Sequence, residues 1–133
     1  MIEYLASLDP SVLVIDYDFN APTPEHLEAT HEKLFKAFRA AHPTTPVIMI
    51  SSITAELHMS ETHRIRRDII RRTYMNAASA GDKNVWFVNG ASLITTEGTV
   101  DRCHPTDLGF TQIADGIEPV LRVALDRYTK NGI

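Results

Sequence analysis

The sequence is poor in the features that mark secreted and membrane proteins. It has one cysteine, Cys103, among 133 residues, which excludes an internal disulfide and favours a reducing compartment. No apolar run approaches the length of a membrane span, and the N-terminus lacks the basic-then-apolar layout of a signal peptide. These absences predict a soluble, cytoplasmic chain without a membrane span.

The sequence also lacks a strong excess of either charge. Lysine and arginine number 13 and aspartate and glutamate 17, which gives a net charge of −4. This mild acidity offers no general attraction for nucleic acid or for an anionic membrane surface. Hydrophobic residues make up 44% and charged residues 23%, as in ordinary globular proteins, so we predict one α/β domain over residues 1–133.

Three continuous apolar runs of strand length lie along the chain, at Val12–Ile15, Val47–Ile50 and Val85–Val88. Runs without polar alternation are typical of strands that are buried on both faces of a parallel sheet. An amphipathic stretch follows each run, and this alternation favours right-handed crossovers with helices on both faces. The sequence therefore predicts a three-layer α/β fold with about three parallel strands and one unpaired sheet edge.

Four segments are predicted to be helical, with the boundaries Met1–Leu8, Thr23–Ala41, Arg64–Ala80 and from about Thr106 onward. The second begins with a hydroxyl N-cap followed by proline, and His42-Pro43 ends it. Ile65 is expected on the buried face of the third helix and Phe110 on that of the fourth. Gly116 and Pro119 predict a kink or a restart in the fourth helix.

A loop between the third strand and the last helix carries the clearest candidate chemistry. It reads Thr-Val-Asp-Arg-Cys-His-Pro-Thr-Asp-Leu-Gly-Phe, with Asp101 and His104 three residues apart before Pro105. At this spacing a carboxylate can reach the imidazole, fix its tautomer and stabilise the imidazolium. The pair is the base half of a nucleophile–histidine–acid system. The alternative is a loop turn with a capping acid.

Two motifs together resemble those of the SGNH (GDSL) hydrolases, a family of esterases and acylhydrolases. One is Asp-x-x-His-Pro followed by Asp-Leu-Gly-Phe, and the other is Asp-Tyr-Asp-Phe-Asn-Ala-Pro after the first strand, which contains Asn20. The resemblance covers almost the whole chain and implies a flavodoxin-like sheet. It implies that His104 is the general base, that Asp101 orients it, and that Asn20 donates its side-chain amide to the oxyanion hole. It also implies a small acyl or acetyl ester, of a carbohydrate or of a lipid, as the substrate, and no cofactor.

The sequence departs from this family in two respects that affect catalysis. The Gly-Asp-Ser block that holds the family's nucleophile is absent, and so is the block with the second oxyanion donor. None of the seven serines lies in such a turn: Ser7, Ser11, Ser51, Ser52, Ser60, Ser79 and Ser92. We therefore expect the chain to be the C-terminal part of such a hydrolase, with the serine supplied by upstream residues. The alternative is a non-catalytic α/β module that associates through its open sheet edge, as a homo-oligomer or with the missing segment.

Two other sets of residues support weaker hypotheses. Cys103 and His104 could form a nucleophile–base dyad, although neighbours in a loop tend to point apart. Glu56, His58 and His63 could bind a metal ion, although their spacing fits no common zinc pattern, and no metal site is predicted.

Two further sets are read as surface features. The run Arg64, Arg66, Arg67, Arg71 and Arg72 could bind phosphate, but a solvated helix face is the simpler interpretation. His26 and His31 are expected on the surface of their helix.

Overall fold

The structure, a computed structural model, describes residues 2–130. It contains three strands, β1 (Leu13–Ile15), β2 (Val47–Ile50) and β3 (Val85–Val88), and four helices, α1 (Ile2–Ser7), α2 (Pro24–Ala41), α3 (Glu61–Ser79) and α4 (Asp107–Lys130). Single 3-10 turns occupy Asp18–Asn20, Glu56–His58, Gly90–Ser92 and Thr96–Gly98. No helix in the described part of the chain has both the length and the apolar character that crossing a membrane requires.

The three strands form a parallel sheet in the order β1-β2-β3, which confirms the predicted fold class. Val47 of the central strand pairs with Leu13 on one side and with Val85 on the other. All four residues of β2 are buried, as expected for a strand covered on both faces. β1 lies at an edge, and Val14 at its centre is 42% exposed.

Helices cover both faces of the sheet and divide the interior into two cores. The first core joins α2 and α3 to one face, and its members include Leu27, Phe35, Phe38, Val47, Met49, Ile70 and Ala77. The second core joins α4 to the other face, and its members include Ile48, Ile50, Val88, Ile113, Ile117 and Ala124. The alternation of residues along β2 between the two cores produces the three layers.

The helices differ from the sequence-based expectation in three places. α3 begins at Glu61, because Ser60 caps it: its hydroxyl accepts from the backbone N–H of His63, whose ring accepts from the Ser60 N–H. Ile65 is 47% exposed and Phe110 is 62% exposed, so neither belongs to the core. α4 is one continuous helix through Gly116 and Pro119, so the helix does not restart there.

Candidate active site

The loop that carries Asp101 and His104 is closed at its base by backbone contacts. Thr99 and Pro105 form an isolated antiparallel bridge, and the Val100 N–H donates to the carbonyl of His104 at 3.0 Å. One residue further out, the Thr106 N–H donates to the Gly98 carbonyl at 2.8 Å. These contacts close the base of the loop directly before α4 begins.

Asp101 and His104 are in direct contact at the tip of this loop. Nδ1 of His104 lies 2.7 Å from Oδ2 of Asp101, while Oδ1 accepts from the backbone N–H groups of Cys103 and His104 at 3.0 and 2.8 Å. An Nδ1–H that donates to the carboxylate leaves Nε2 as the proton acceptor. Both side chains are exposed, so the ion pair adds little to stability, and its structural effect is to orient the ring.

Hydrogen bonds to the charged form lower the pKa of Asp101 to about 2. The backbone N–H of His104 is the main cause, followed by its imidazole and by the N–H of Cys103. Asp101 is thus a carboxylate throughout the neutral range, as an orienting acid must be.

The turn between the two residues requires an unusual backbone conformation at Arg102. Its φ is 71°, and Arg102 is the one non-glycine residue with positive φ in the described part of the chain. A side chain in this region costs about 1 kcal/mol or more. This conformation of Arg102 lets the Asp101 carboxylate reach both the His104 ring and two N–H groups of the same turn.

A close contact between two glycines anchors the loop to α4. A Cβ on Gly109 would lie 2.0 Å from the Gly98 carbonyl oxygen, so Gly109 has no room for a side chain. Thr106 caps the helix there, because its Oγ1 accepts from the Gly109 N–H at 3.2 Å. The helix therefore begins directly against the 3-10 turn that precedes the loop.

Asn20 ends the 3-10 turn that follows β1, and its side chain is exposed. Within residues 2–130 no hydrogen bond engages its side-chain amide, so the side-chain N–H bonds are available to a ligand. Beside it lies a cavity of about 650 Å³ on the open side of β1. Its walls are mainly apolar, and it is lined by Leu5, Leu13, Val14, Ile15, Asp16, Tyr17, Asn20, His26, Thr30 and Leu34.

Asn20 and His104 both lie in loops that follow carboxyl ends of strands, the edge at which open α/β sheets bind ligands. No hydrogen bond joins Asn20 to Asp101 or His104 in the described residues, and neither Asp101 nor His104 lines the cavity beside Asn20. A shared cleft for the three residues therefore stays a prediction.

A buried ionic network below Asn20 was missed by the sequence analysis. Asp18 is fully buried, and its Oδ2 accepts from the N–H and the hydroxyl of Ser52 at 2.7 and 2.5 Å. Arg66 lies 3.1 Å from its Oδ1 and is itself 8% exposed. The expected solvated face of α3 is thus wrong for Arg66, which belongs to the interior.

The strand ends are tied together by two adjacent serines. Ser52 joins the turn after β1 to the end of β2, through Asp18. Ser51 joins β2 to the start of the loop after β3, because its hydroxyl accepts from the Gly90 N–H at 3.0 Å. Both serines are buried and engaged, so neither is available as a nucleophile at His104.

His31 is buried, in contrast to the expected surface placement, while His26 is exposed. Its Nδ1 lies 3.0 Å from the hydroxyl of Thr73, and its ring stacks on Tyr17. Burial lowers the pKa of His31 to about 4, against smaller opposing effects of nearby carboxylates. It is therefore a neutral core residue at physiological pH.

The weaker candidates have other roles or no partner. In the residues that the structure describes, no group of three His, Cys, Asp or Glu side chains is arranged to hold a metal ion. His63 serves as the cap partner of Ser60 and packs against Phe19. Cys103 is a free, exposed thiol, while the ring of its neighbour His104 contacts Asp101.

Comparison with known proteins gives a family and a fold. A model of the GDSL-like Lipase/Acylhydrolase family matches residues 1–122. No match was found among curated proteins. A solved structure from Bacteroides ovatus ATCC 8483, described as that of a GDSL-like lipase, matches with a TM-score of 0.80 and 26% identity over 94% of this chain and 39% of its own.

Two more distant solved structures share the fold. Salicylyl-acyltransferase SsfX3 from a tetracycline biosynthetic pathway has a TM-score of 0.71 at 16% identity, over 92% of this chain and 40% of its own. A family two carbohydrate esterase from Clostridium thermocellum has a TM-score of 0.72 at 16% identity, over 92% of this chain and 38% of its own. The chain thus spans about two fifths of the length of the solved structures that it matches.

Proposed function

Because this chain belongs to the GDSL-like lipase/acylhydrolase family, we propose that it supplies the base, the acid and one oxyanion donor of a serine esterase. The single observation that carries the proposal is the Asp101–His104 pair at the tip of an exposed, braced loop. The substrate class is a carboxylic ester with a small acyl or acetyl group. Carbohydrate and lipid esters are both within this class.

His104 acts as the general base in this proposal. Nε2 removes the proton from the attacking serine hydroxyl as its oxygen bonds to the ester carbonyl carbon, and later returns that proton to the leaving alcohol. Asp101 stabilises the imidazolium between these steps. In the second half of the reaction, Nε2 takes a proton from a water whose oxygen bonds to the acyl carbon, and it passes that proton to the serine oxygen as the bond to the acyl group breaks and the acid is released.

Asn20 donates its side-chain amide to the oxyanion that forms on the carbonyl oxygen. Its exposure and the lack of a hydrogen bond to its side-chain amide within residues 2–130 support this role, as does its place in the turn that follows the carboxyl end of β1. A preorganised donor of this kind contributes about 10²–10³ in kcat.

The nucleophilic serine comes from outside residues 1–133 in this proposal. Besides Ser51 and Ser52, three other serine hydroxyls have partners: Ser7 with Tyr4, Ser60 with His63, and Ser92 with Asn89. A serine positioned by an upstream Gly-Asp-Ser turn, in the same chain or in a second one, would complete the set.

Hydrolysis of p-nitrophenyl acetate tests the proposal. The 133-residue chain alone should show weak hydrolysis at most, and supplying the upstream segment should raise the rate by orders of magnitude. The gain should disappear with His104→Ala, since base and nucleophile act as a unit. Equal rates with and without the segment, or a full rate in His104→Ala, would contradict the proposal.

A second candidate function, association through β1, is favoured by the exposed edge itself. Val14 is 42% exposed on an apolar strand, next to the apolar cavity on its open side. Free donors and acceptors along such an edge pair readily with another strand. We propose that a second copy or the upstream segment covers this edge. We also propose a cytoplasmic location, because a single free cysteine suits a reducing compartment.

A further inference from the structure

One guanidinium group holds the backbone on both sides of Asn20. Nη1 of Arg66 donates to the Asp18 carbonyl at 2.6 Å, and Nη2 donates to the Ala21 carbonyl at 2.8 Å. The same Nη1 also contacts the Asp18 carboxylate at 3.1 Å. The turn that presents Asn20 is thus fixed from α3, on the side opposite to the solvent.

The turn is held from below by buried groups while its last side chain points outward. Asp18 and Ala21 are 0% and 2% exposed, whereas Asn20 is exposed. The N–H groups of Asn20 and Ala21 both donate to the Tyr17 carbonyl, at 2.9 and 3.2 Å. Any shift of the Asp18 or Ala21 carbonyl therefore moves the backbone of Asn20, and with it the side-chain amide.

A contribution to the stability of the fold does not by itself explain why this buried ionic network is present. Replacing a buried ion pair by apolar residues of similar size is often neutral or stabilising, since the pair must first lose its hydration. Arginine is required here by geometry, because only a planar fork can reach two carbonyls and one carboxylate together. A lysine could keep the contact with Asp18 but could not span the turn.

We propose that Arg66, with Asp18, is the positioning residue that places the Asn20 amide at the oxyanion. This inference rests on the proposed function, in which Asn20 is a donor to the tetrahedral intermediate. Arg66 touches no reacting atom, and its effect passes through the backbone of residues 18–21.

Arg39 provides a matched control at the opposite end of the sheet. Its guanidinium pairs with Asp82 at 2.8 Å. It also donates to three backbone carbonyls in the loops that precede β2 and β3, those of His42, Thr45 and Asn84. Arg39→Lys therefore removes a similar, less deeply buried fork without touching the turn at Asn20.

Hydrogen exchange on the 133-residue chain tests the positioning directly. In Arg66→Lys, the amides of Asn20 and Ala21 should exchange at least about tenfold faster than in Arg39→Lys, once rates are corrected for global stability. Equal protection of these two amides in both variants would overturn the inference. Should Arg66→Lys fail to fold, the double variant Asp18→Asn/Arg66→Met takes its place, because it leaves no unpaired charge in the interior.

Ester hydrolysis with the upstream segment supplied separates this inference from the proposed function. Arg66→Lys should lower kcat at least about tenfold, with KM within about twofold, because a displaced donor weakens mainly the transition state. Arg39→Lys should keep both constants. A normal kcat in Arg66→Lys beside a low kcat in Asn20→Ala would overturn the positioning role alone. Normal rates in both Asn20→Ala and His104→Ala would overturn the proposed function itself.

Discussion

The carboxylate of Asp101 holds the imidazole of His104 with one oxygen and the backbone of its own turn with the other. The backbone of the turn thus orients the Asp101 carboxylate, and that carboxylate orients the His104 ring, all within four consecutive residues. This arrangement depends on the loop alone, since neither side chain is buried. It can therefore be tested without disturbing the core.

Replacing Asp101 by asparagine should impair catalysis while the chain stays folded. An amide that donates toward Nδ1 favours the wrong tautomer, with the proton on Nε2, and kcat should fall at least about a hundredfold and up to about 10⁴-fold. The measurement is p-nitrophenyl acetate hydrolysis with the upstream segment supplied. Asp107→Asn, at an exposed acid on the first turn of α4, is the control and should keep the rate. A fully active Asp101→Asn variant would remove the acid from the mechanism.

The free energy of unfolding should depend on pH through His31. Its pKa is about 4 in the folded chain against 6.5 when unperturbed, so the unfolded chain binds more protons between these values. Stability from this group is complete above pH 6.5 and declines as pH falls toward about 4, by about 3 kcal/mol in total.

Urea unfolding across this range, compared between variants, isolates the contribution of the buried ring. His31→Gln should show a smaller loss of stability on acidification than the parent chain. His26→Gln, at an exposed histidine on the same helix, should behave like the parent. The same pH dependence in the parent and His31→Gln would mean that other groups cause it.

Two glycines of α4 should respond oppositely to alanine. At Gly109 the added methyl meets the Gly98 backbone oxygen at 2.0 Å, and the chain should lose about 1–3 kcal/mol of stability. At Gly116 it meets only the end of the Leu93 side chain, which can move, and the helix gains up to about 1 kcal/mol in propensity. Thermal unfolding of the two variants checks this. Equal melting temperatures would show that the contact with Gly98 relaxes freely.

Glycine at position 102 should relieve the strain of the site loop. With φ at 71°, Arg102→Gly removes a steric penalty of about 1 kcal/mol, whereas Arg102→Val, with a branched Cβ, should destabilise the chain. Chemical unfolding measures both, and the His104 ring resonances report whether the contact with Asp101 persists. Equal stability in the two variants would be inconsistent with a left-handed backbone at this position.

Association through β1 should be visible in solution. Light scattering at low micromolar concentration should give a mass at least twice the 14.9 kDa of one chain. A charge in Val14→Lys should block strand pairing and return the mass to one chain. Val123→Lys places the same charge on an exposed residue of α4 and should leave the assembly intact. A parent chain that is monomeric and well folded would contradict pairing between copies through this edge.

The sheet could be predicted because each strand is a continuous apolar run between polar turns. The structure confirms three parallel strands close to Val12–Ile15, Val47–Ile50 and Val85–Val88, with β1 one residue shorter. The contact between Asp101 and His104 was also accessible, because it spans only one turn. The spacing of residues along the chain is therefore enough to predict both the strands and this contact.

The sequence-based prediction placed Arg66 and His31 on the surface, because it gave their polar character more weight than their position along the helix. Arg66 precedes Ile69 and Ile70 by three and four residues and so lies on the apolar face of α3, yet its arginine neighbours suggested a solvated surface. His31 follows Leu27 by four residues and precedes Phe35 by four. Helical spacing could have placed both side chains inside, but their partners come from distant segments that sequence alone does not bring together.

The succession β1-β2-β3 along both the chain and the sheet also constrains how the domain folds. β1 and β2 each pair with the next strand to be synthesised, so each pairing closes one crossover and no segment has to be inserted between these strands once they are in place. β2 alone, among the described strands, pairs on both sides, and neither pairing can form without it. Truncating core side chains of β2 should therefore slow folding, whereas equivalent changes in β1 or β3 should mainly accelerate unfolding.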